Sequence, residues 1–483
     1  MKLAHLFDAG VPDGARDLEI AGITADSRKV APGFLFAALQ GAASHGRDFT
    51  GDAKARGAVA VLSAGDAATD LAHVVSPSPR RALALAAARF WPRQPRTIAA
   101  VTGTNGKSST VDFLRQIWAG GGVRAASLGT LGAIGPADFG NGGVIDLGHT
   151  TPDPVAIHQT FDALAAAGVS HAAMEASSHG LDQHRLDGVR LSAGAFLNLT
   201  QDHLDYHATM DVYRAAKMKL WDLLPGDAPA IVSADAAEGA AFAAGARARG
   251  LDVFPFGWRA GPDGLKIGEI RPHPNSQTLI LSWEGLETDV ELPLIGEFQA
   301  LNAVAAATLA LALGGEAESV WDGMEKLLPV KGRMQHVGAT KTGAHVFVDY
   351  AHTPDGLDVL LRAARPHAPG RIILVFGCGG DRDKTKRARM GAVAQRLADV
   401  AIVTDDNPRT EDAAAIRAQV KEGAPAALEI GDRARAIAEA VAMLQPGDAL
   451  LIAGKGHETG QIVGRSVIPF SDQEEAMKAL ASL

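Results

Sequence analysis

A glycine-rich turn between a buried strand and a helix constrains this chain more than any other feature. The segment AAVTGTNGKSST, residues 99–110, completes an apolar run and leads into the helical pattern VDFLRQIWAG. A strand that feeds such a turn and then a helix begins a βαβ unit, and βαβ units build parallel sheets. The backbone amides of the turn can surround phosphate oxygens at the N-terminus of the helix. The segment therefore predicts an α/β fold with a nucleotide site.

Individual residues of this turn suit phosphate and metal binding. Lys107 would reach the β- and γ-phosphates of a nucleotide, and the hydroxyl of Ser108 could ligate Mg²⁺. The standard pattern has a glycine five residues before Gly106, where this chain has Val101, so the match is incomplete. The alternative is a tight βα turn with an incidental lysine. The strand and helix on either side favour nucleotide binding.

Composition excludes several classes of protein. The 483 residues suggest about three domains. A composition of 47% hydrophobic and 21% charged residues is typical of a globular protein with a hydrophobic core. The net charge of −9 argues against a nucleic-acid or anionic-membrane binder. The single cysteine, Cys378, excludes an internal disulfide and any multi-cysteine metal site. With no signal-peptide core and no apolar run of about 20 residues, we expect a cytoplasmic globular protein without a membrane span.

The chain divides into three sections, which we place at residues 1–95, 96–329 and 330–483. The breaker-rich PRQPR separates the first two, and PVKGRMQHV opens the third. Strand patterns such as VSHAAMEAS, GAFLNLT and RIILVFGCGG alternate with helical ones, which predicts parallel sheets. The run FQALNAVAAATLALAL predicts an amphipathic helix.

Two polar clusters follow strand patterns in the second section. Glu175 stands at the end of one strand, and Asp202 with His203 at the end of another. Ligands of open α/β sheets gather beyond the carboxyl ends of the strands. A carboxylate and an imidazole there could hold a second metal beside a nucleotide. Each cluster alone is weak evidence, because a histidine at a strand end more often makes a hydrogen bond within its loop.

The chain resembles the Mur ligases of peptidoglycan synthesis over almost its whole length. The motifs that carry the resemblance occur in the family's order: DSR at 26–28, GTNGKSS at 103–109, TTP at 150–152, MEASSHGLDQHR at 174–185, NLTQDHLDYH at 198–207, YRAAK at 213–217, GRM at 332–334, VDYAHTPD at 348–355, GCGGDRDKTKR at 377–387, DDNPRTED at 405–412 and GKGHE at 454–458. Any one tripeptide would be uninformative, but the ordered set is specific.

The resemblance implies an α/β architecture of three domains. The first would bind the UDP-sugar, the central phosphate-loop ATPase domain would bind ATP, and the C-terminal Rossmann-like domain would bind an amino acid. The implied reaction joins an amino acid to UDP-N-acetylmuramoyl-L-Ala-D-Glu. ATP phosphorylates the terminal carboxylate, and an amine attacks the acyl phosphate to give the amide, ADP and phosphate. We expect a monomer with no nucleic-acid partner.

The resemblance also implies roles for residues around ATP and Mg²⁺. Ser108 would bind the first Mg²⁺ with a contribution from Glu175, and His203 would serve a second metal site. Asn302 would lie on the adenine side and His352 near the nucleotide. The residues implied to hold the phosphates are Gly103, Thr104, Asn105, Gly106, Lys107, Ser108 and Ser109.

Lys217 has two interpretations. The segment YRAAKMKLW alone predicts an amphipathic helix with a solvated lysine. In the family, the lysine of the matching motif is carbamylated by CO₂, which turns a cation into an anion able to bind Mg²⁺. This modification requires a neutral amine, such as a lysine whose pKa is lowered by burial. With the neighbouring motifs present, we favour a carbamylated Lys217 that acts with Lys107 and Glu175 in catalysis.

The residues implied for the UDP-sugar peptide are hydroxyl, amide and guanidinium groups, which suit a ligand rich in phosphate and carboxylate. They are Ser27 in the first section and Thr150, Thr151, Ser177, Gln183 and Arg185 in the second. His149 stands where relatives often have asparagine, so its own role is open.

The motif DDNPRTED bears on the choice of amino acid. Meso-diaminopimelate is lysine with a second carboxylate at its far end, and Arg409 could bind that carboxylate with two hydrogen bonds. Lysine-adding relatives typically lack this arginine, so the resemblance implies meso-diaminopimelate as the amino acid. The other residues implied for this site are Arg382, Asp406, Asn407, Pro408, Gly454 and Glu458.

Three alternatives remain at the level of sequence. The first is the same ligase with L-lysine or another amino acid, and a neutral residue at position 409 would be its signature. The second is a phosphate-loop kinase or nucleotide hydrolase, which would not need Arg409 or Glu458. The third is a folate-polyglutamate synthetase, which shares the ATP loop, although TTP, SSHGLDQHR and DNPR together disfavour it.

Overall fold

The computed structural model describes residues 1–41, 45–65, 69–140, 142–202 and 204–483, without the side chains of residues 204–205. The chain forms two compact units. The first comprises Met1–Gly264 with Ala305–Val320, and the second comprises Leu265–Val304 with Trp321–Leu483. Among the described helices, none combines the length and the apolar character that crossing a bilayer requires.

The first unit begins with a small parallel sheet of four strands in chain order. The strands are β1 (Gly22–Thr24), β2 (Phe34–Ala37), β3 (Ala58–Ser63) and β4 (Ala72–Val75), and the helices beside them are α1 (Thr50–Ala55) and α2 (Pro79–Phe90). Leu35, Leu62 and Val74 from the strands pack with Leu83 of α2 in one core. The apolar runs GFLFAAL and GAVAVLS contain β2 and β3.

A second sheet in this unit carries the glycine-rich turn. Its strands are β5 (Thr97–Thr102), β6 (Ala125–Gly129), β7 (Gly132–Ile134), β8 (Val144–Ile145), β9 (His171–Glu175), β10 (Ala193–Phe196), β11 (Pro229–Ser233) and β12 (Asp252–Gly257). They lie in the order β12-β11-β10-β5-β9-β6-β7-β8, and all pairings are parallel except those of β7. Because β5 lies between β9 and β10, the segments that follow these strands meet around the glycine-rich turn.

Helices pack against this sheet. They are α3 (Lys107–Gly120), α4 (Pro154–Ala166), α5 (Ser178–Asp182), α6 (Leu204–His207), α7 (Met210–Met218) and α8 (Gly239–Arg247). Phe196 of β10 stacks on Phe242 of α8, and Trp221 packs edge-on against Phe242. The apolar runs of the central strands are therefore covered as a parallel sheet requires.

The second unit contains an antiparallel meander that the sequence analysis did not predict. Its strands are β13 (Leu265–Pro272), β14 (Gln277–Trp283) and β15 (Leu286–Leu292). Glu284 and Gly285 join the last two strands, and both have a left-handed φ, +51° and +80°. Two such residues form the tight turn that matches the twist of a hairpin. These antiparallel strands add to the predicted parallel sheets, because this turn reverses the chain without a crossover helix.

Two helices follow, α9 (Glu297–Ala312) and α10 (Ala317–Met324), and each of them has residues assigned to both units. The prediction that FQALNAVAAATLALAL forms a helix is confirmed by α9. Its predicted amphipathic character is wrong, because every residue from 302 to 311 is buried. Small alanine side chains and leucines on all sides make a helix that can be enclosed around its whole circumference.

The remainder of the second unit is a six-stranded sheet with helices. The elements are β16 (Gln335–Ala339), β17 (His345–Asp349), α11 (Pro354–Ala364), β18 (Ile372–Phe376), α12 (Lys386–Leu397), β19 (Val400–Val403), α13 (Ala413–Lys421), β20 (Leu428–Glu429), α14 (Arg433–Ala442), β21 (Ala449–Ala453) and α15 (Asp472–Ala481), with the ribbon β22 (Gly460–Val463) and β23 (Ser466–Pro469). The strand order is β16-β17-β21-β18-β19-β20, parallel except for β16. The loops after β17, β18, β19 and β21 therefore leave the same edge of the sheet.

Candidate active site

The predicted phosphate loop runs from the end of β5 to the start of α3. Gly106 caps the helix in a left-handed conformation, φ +89°, which favours glycine. The Nζ atom of Lys107 donates to the carbonyl oxygens of Gly103 at 3.0 Å and Thr104 at 2.9 Å. The lysine ammonium therefore lies against the backbone of the loop, at the N-terminus of the helix. This is the place where a helix attracts an anion.

Residues after β10 hold the loop in shape. The backbone amide of Asn105 donates to the side chain of Asn198 at 2.9 Å, and Asn198 donates back to the Asn105 carbonyl at 3.1 Å. Thr104 donates from its hydroxyl to the carbonyl of Thr200 at 3.2 Å. The predicted strand GAFLNLT ends earlier than expected, at Phe196. Its last residues leave the sheet because their polar groups bond the loop.

Glu175 lies at the end of β9, as predicted, and its carboxylate reaches the loop. The Ser108 hydroxyl donates to its Oε1 atom at 2.8 Å, and the Thr130 amide donates to the same atom at 2.7 Å. The Thr130 hydroxyl is hydrogen-bonded to that of Thr150 at 3.0 Å. The parallel neighbours β5 and β9 bring these groups together. The sequence analysis missed Thr130, although a polar residue directly after β6 was a usable signal.

Lys217 is buried rather than solvated. Its side chain is 1% exposed, and Nζ donates to the Gly103 carbonyl at 2.7 Å. Burial, with a smaller contribution from the nearby Lys107 cation, lowers the pKa of Lys217 from 10.5 to about 6. The ring of Tyr213 lies 4.6 Å from Nζ, and burial raises the pKa of this tyrosine to about 12. At neutral pH, Lys217 is a neutral amine beside the phosphate loop.

The second predicted cluster is only partly described. His203 lies outside the described residues. Asp202 is exposed and lies in the loop well past β10, so its placement at a strand end was wrong. Nearby, the buried His207 is hydrogen-bonded through Nε2 to the Ser178 hydroxyl at 2.9 Å. In the part of the chain with described side chains, no three His, Cys, Asp or Glu residues form a metal-binding group.

The residues predicted for the UDP-sugar peptide continue from Glu175. Thr151 donates from its hydroxyl to the Glu175 carbonyl at 2.9 Å and accepts from the Ser177 amide at 3.0 Å. Ser177 caps α5 by accepting from the Gly180 amide at 3.0 Å. The Arg185 guanidinium donates to the Thr151 carbonyl at 2.5 Å and to the Gln183 side chain at 2.8 Å. One network therefore joins Ser108 to Arg185.

A cavity of about 190 Å³ lies at the end of this network, within the first unit. Gln183, Arg185, His149 and Arg80 are among the side chains that line it. Burial, and next the Arg80 cation, lower the pKa of Arg185. Two guanidinium groups and one carboxylate, that of Asp153, line this small cavity, and the excess of positive charge favours an anionic ligand. Ser27 begins a short 3-10 helix two residues after Ala25, which also lines the cavity.

In the second unit, the loops after β19 and β21 bring two predicted residues into contact. Asn407 donates from its side chain to Oε2 of Glu458 at 2.9 Å. Lys455 donates to the same oxygen at 2.7 Å and to Oδ1 of Asn407 at 3.1 Å. The sequence analysis missed Lys455, although it lies inside the motif GKGHE. Because lysines are mostly exposed in folded proteins, the sequence contained no signal that Lys455 is buried.

Arg409 lies in the same loop with a left-handed backbone, φ +53°. Its amide donates to the Ile462 carbonyl at 3.0 Å, and its guanidinium donates to the Gly380 carbonyl at 2.8 Å. The loop after β18 therefore contacts the loop after β19. Pro408 lies at this contact, because a Cβ atom on Gly380 would stand 1.9 Å from its carbonyl oxygen. Arg382, in the loop after β18, is exposed and donates to the Asp381 carbonyl at 3.4 Å.

Gly454 and Asp406 lie side by side behind these groups. A Cβ atom on Gly454 would stand 2.6 Å from an Asp406 carboxylate oxygen, and Gly454 has φ +119°. Arg433 is fully buried nearby and forms an ion pair with Asp472 at 2.7 Å. It also donates to the Ala453 carbonyl at 2.9 Å. The sequence analysis missed this pair, because its members are far apart in the chain.

Asn302 and His352 both belong to the second unit. Asn302 donates to the Gln299 side chain at 3.2 Å and is 7% exposed. His352 is exposed and is hydrogen-bonded through Nδ1 to the Tyr350 carbonyl at 2.7 Å. Their roles near ATP stay predictions, because the phosphate loop belongs to the first unit.

The parallel sheet, the glycine loop and the Lys107–Ser108–Glu175 group define a phosphate-loop nucleotide-binding protein. Three family models match: "Mur ligase family, catalytic domain" at residues 19–91, "Mur ligase middle domain" at 101–310 and "Mur ligase, glutamate ligase domain" at 332–456. The chain belongs to the Mur ligase family. Each matched segment falls within one predicted section, while the section boundaries themselves stay a prediction.

Two similar proteins and one solved structure share the same description. UDP-N-acetylmuramoyl-L-alanyl-D-glutamate–2,6-diaminopimelate ligase of Agrobacterium fabrum is 51% identical over 96% of this chain and 94% of its own. The protein of that name from Bradyrhizobium diazoefficiens is 50% identical over 100% of this chain and 99% of its own. A solved structure of a ligase of that name has a TM-score of 0.76 at 30% identity, covering 100% of this chain and 99% of its own.

Proposed function

We propose that this enzyme forms an amide bond between UDP-N-acetylmuramoyl-L-Ala-D-Glu and meso-diaminopimelate, with hydrolysis of ATP to ADP and phosphate. The observation that carries the proposal is the hydrogen-bond network from Ser108 through Glu175 and Thr151 to Arg185. It connects a phosphate loop to a cavity with two arginines, as phosphoryl transfer to an anionic acceptor requires. The names of the relatives support the same substrates.

The first step transfers phosphate to the acceptor. An oxygen of the D-Glu carboxylate attacks the γ-phosphorus, the bond to the bridging oxygen breaks, and ADP leaves with the electron pair. Lys107 and the loop amides neutralise charge on the transferring group. Arg185 and Gln183, with Thr150, hold the acceptor substrate, and Thr151 with Ser177 fixes the segment between them. The product of this step is an acyl phosphate.

The second step forms the amide. The neutral amine of diaminopimelate attacks the acyl carbon, the bond to the phosphate oxygen breaks, and inorganic phosphate and a proton leave. Arg409 is proposed to bind the far carboxylate and Glu458 the accompanying ammonium group. L-lysine would leave the half-buried Arg409 guanidinium without its carboxylate partner, and the loss of such a charged hydrogen bond costs about 1.5–3 kcal/mol.

The residues around Ser108 fit a magnesium ion. A hydroxyl and a buried carboxylate lie in contact there, 2.8 Å apart, and Mg²⁺ prefers such oxygen ligands together with water and phosphate oxygens. Ser108 and Glu175 would hold the ion, with His203 proposed for a second one. When bound, Mg²⁺ neutralises the negative charge of the phosphates.

We also propose that Lys217 is carbamylated. The amine nitrogen attacks the carbon of CO₂, an N–C bond forms, and the nitrogen loses a proton. The pKa of about 6 supports this step, because the amine is neutral and nucleophilic at pH 7. The carbamate would place a negative charge beside the phosphate loop, where it could serve as a metal ligand.

The deciding experiment measures phosphate release and amide product with ATP, Mg²⁺ and UDP-N-acetylmuramoyl-L-Ala-D-Glu. Meso-diaminopimelate is compared with L-lysine, and Lys107→Ala serves as the inactive control. Turnover with diaminopimelate alone is expected. Turnover with lysine alone would keep the ligase and overturn the selectivity assigned to Arg409. Phosphate release without amide would indicate a nucleotide hydrolase.

The proposed reaction uses ATP and a nucleotide-linked precursor. We therefore propose that the reaction takes place in the cytoplasm. We also expect the enzyme to be a monomer. Sedimentation of the purified protein would test the oligomeric state.

A further inference from the structure

A fully buried lysine lies at the centre of the proposed amino-acid site. Lys455 follows β21 and is 0% exposed. Its Nζ atom donates to Oε2 of Glu458 at 2.7 Å and to Oδ1 of Asn407 at 3.1 Å. Lysine is rarely buried to this extent without oxygen partners, and here both partners are residues assigned to the amino acid. The burial therefore needs an explanation linked to the site.

The carboxylate of Glu458 is held by one of its two oxygens. Lys455 and the Asn407 amide both donate to Oε2, at 2.7 and 2.9 Å. Among the described residues, Oε1 of Glu458 has no hydrogen bond from the protein, and the side chain is 33% exposed. Burial raises the pKa of Glu458, but the hydrogen bonds from Lys455 and Asn407 outweigh this effect and lower it. The group is therefore a charged acceptor whose Oε1 atom is left for a ligand.

Lys455 also bridges segments that the sheet keeps apart. The loops that carry Asn407 and Glu458 follow β19 and β21, which are separated by β18. Oδ1 of Asn407 accepts from the Ile462 amide at 2.9 Å as well, which attaches the β22 ribbon. A long, flexible lysine stem can span this gap with its cation at the tip. The ammonium group thus joins two loops, and Asn407 attaches the ribbon to them.

Among the cations of the described residues, Lys455 is the one that forms a salt bridge with Glu458. Burial lowers the pKa of His457, so this neighbour is neutral at pH 7. Arg433 is committed to its buried ion pair with Asp472. Tyr350, whose pKa is raised first by burial, is neutral as well. Lys455 is therefore the cation that contacts the Glu458 carboxylate.

We propose that Lys455 is a positioning residue. It fixes Glu458 and Asn407 so that Oε1 of Glu458 accepts a hydrogen bond from the ammonium group beside the far carboxylate of the incoming amino acid. This inference rests on the proposed function, because it takes Glu458 as the acceptor for that ammonium. Lys455 itself acts through Glu458 and does not touch the substrate.

A double-mutant cycle in the full-length enzyme tests the inference. The variants are Lys455→Met, Glu458→Gln and their combination. Lys478→Met, which removes an exposed lysine paired with Glu475, is the control. For each protein, kcat and the KM values for meso-diaminopimelate and ATP are measured. Lys455→Gln, which keeps one donor, gives a second measurement if the methionine variant does not fold.

We expect Lys455→Met to raise the KM for diaminopimelate about tenfold or more and to leave the KM for ATP within about twofold. The double variant should have nearly the same KM for diaminopimelate as Glu458→Gln alone, because the carboxylate that Lys455 orients is already absent. Lys455→Gln should lie between Lys455→Met and the parent, and Lys478→Met should match the parent.

Two results would overturn the positioning role. One is an equal rise of both KM values in Lys455→Met, or in Lys455→Gln if only that variant folds. The other is a double variant in which the two single effects multiply. A parent enzyme that forms no amide with diaminopimelate would instead overturn the proposed function, so the two failures are distinguishable.

Discussion

The burial of Lys217 couples its charge to the stability of the protein. In the unfolded chain its pKa is near 10.5, and in the folded protein it is about 6. Between these pH values the unfolded state binds the additional proton, so the free energy of unfolding from this residue rises as pH rises. The cost of burying the ammonium is complete below pH 6 and disappears above pH 10.5.

We therefore expect Lys217→Met to raise the unfolding temperature, by more at pH 6 than at pH 10, and to abolish ligase activity. Thermal unfolding in CO₂-free buffer measures the first effect, with Lys266→Met, at an exposed lysine, as the control. Equal stabilisation at both pH values would contradict the lowered pKa. Added short carboxylates should partly restore activity to Lys217→Ala, and a fully active Lys217→Ala would refute the carbamate.

Arg409 combines a side chain proposed to bind substrate with an unfavourable backbone conformation. Its left-handed φ of +53° costs an arginine roughly 1–2 kcal/mol. Arg409→Gly should therefore be more stable than Arg409→Ala, while both raise the KM for diaminopimelate about 100-fold. Denaturant unfolding and steady-state kinetics measure the two effects. An equal rise in the KM for ATP would mean that the residue is structural.

At the scale of elements, α5 positions the acceptor residues because it packs closely on the segment before α4. A Cβ atom on Gly180 would stand 2.5 Å from Cγ2 of Thr151 and 3.1 Å from the Ser177 hydroxyl. The helix can lie here only because this position is glycine. The hydrogen bonds between Thr151, Ser177 and Glu175 depend on this contact.

Gly180→Ala should raise the KM for the UDP-linked substrate about tenfold, because Thr151 and Ser177 must move apart. The KM for diaminopimelate should stay unchanged. Gly226→Ala is the matched control, since a Cβ atom there meets nothing within 4 Å. Equal kinetics for the two variants would show that the close contact has no role in substrate binding.

At the scale of the whole molecule, the pair Arg433–Asp472 connects distant parts of the chain. Both side chains are fully buried, and Asp472 begins the last helix, α15. Arg433 also donates to the Ala453 carbonyl, directly before Gly454. The last helix therefore supports the edge of the sheet that carries the proposed amino-acid site.

Breaking this pair should be costly, because it leaves an uncompensated buried charge. We expect Arg433→Met or Asp472→Leu to lower the free energy of unfolding by about 3–5 kcal/mol, and the double variant to recover much of that loss. Denaturant unfolding of the three variants provides the measurement. Additive losses in the double variant would mean that the two residues do not act as a pair.

The sequence by itself determined the parallel strands, the phosphate loop and the family. These depend on local order: an apolar run before GTNGKSS can form only a few structures, and the pattern around Glu175 places this residue at the end of its own strand. Motif order also placed Asn407 and Glu458 in one site before their contact was observed.

Only the tertiary structure decided which groups are buried and what charge they carry. Lys217 and Lys455 look like surface lysines in the sequence, but packing removes water from both. Desolvation makes the first a neutral amine, while two oxygen partners hold the second. The antiparallel meander and the complete burial of α9 were not predicted, for a related reason. Burial and strand direction depend on neighbours distant in sequence, and local patterns do not contain that information.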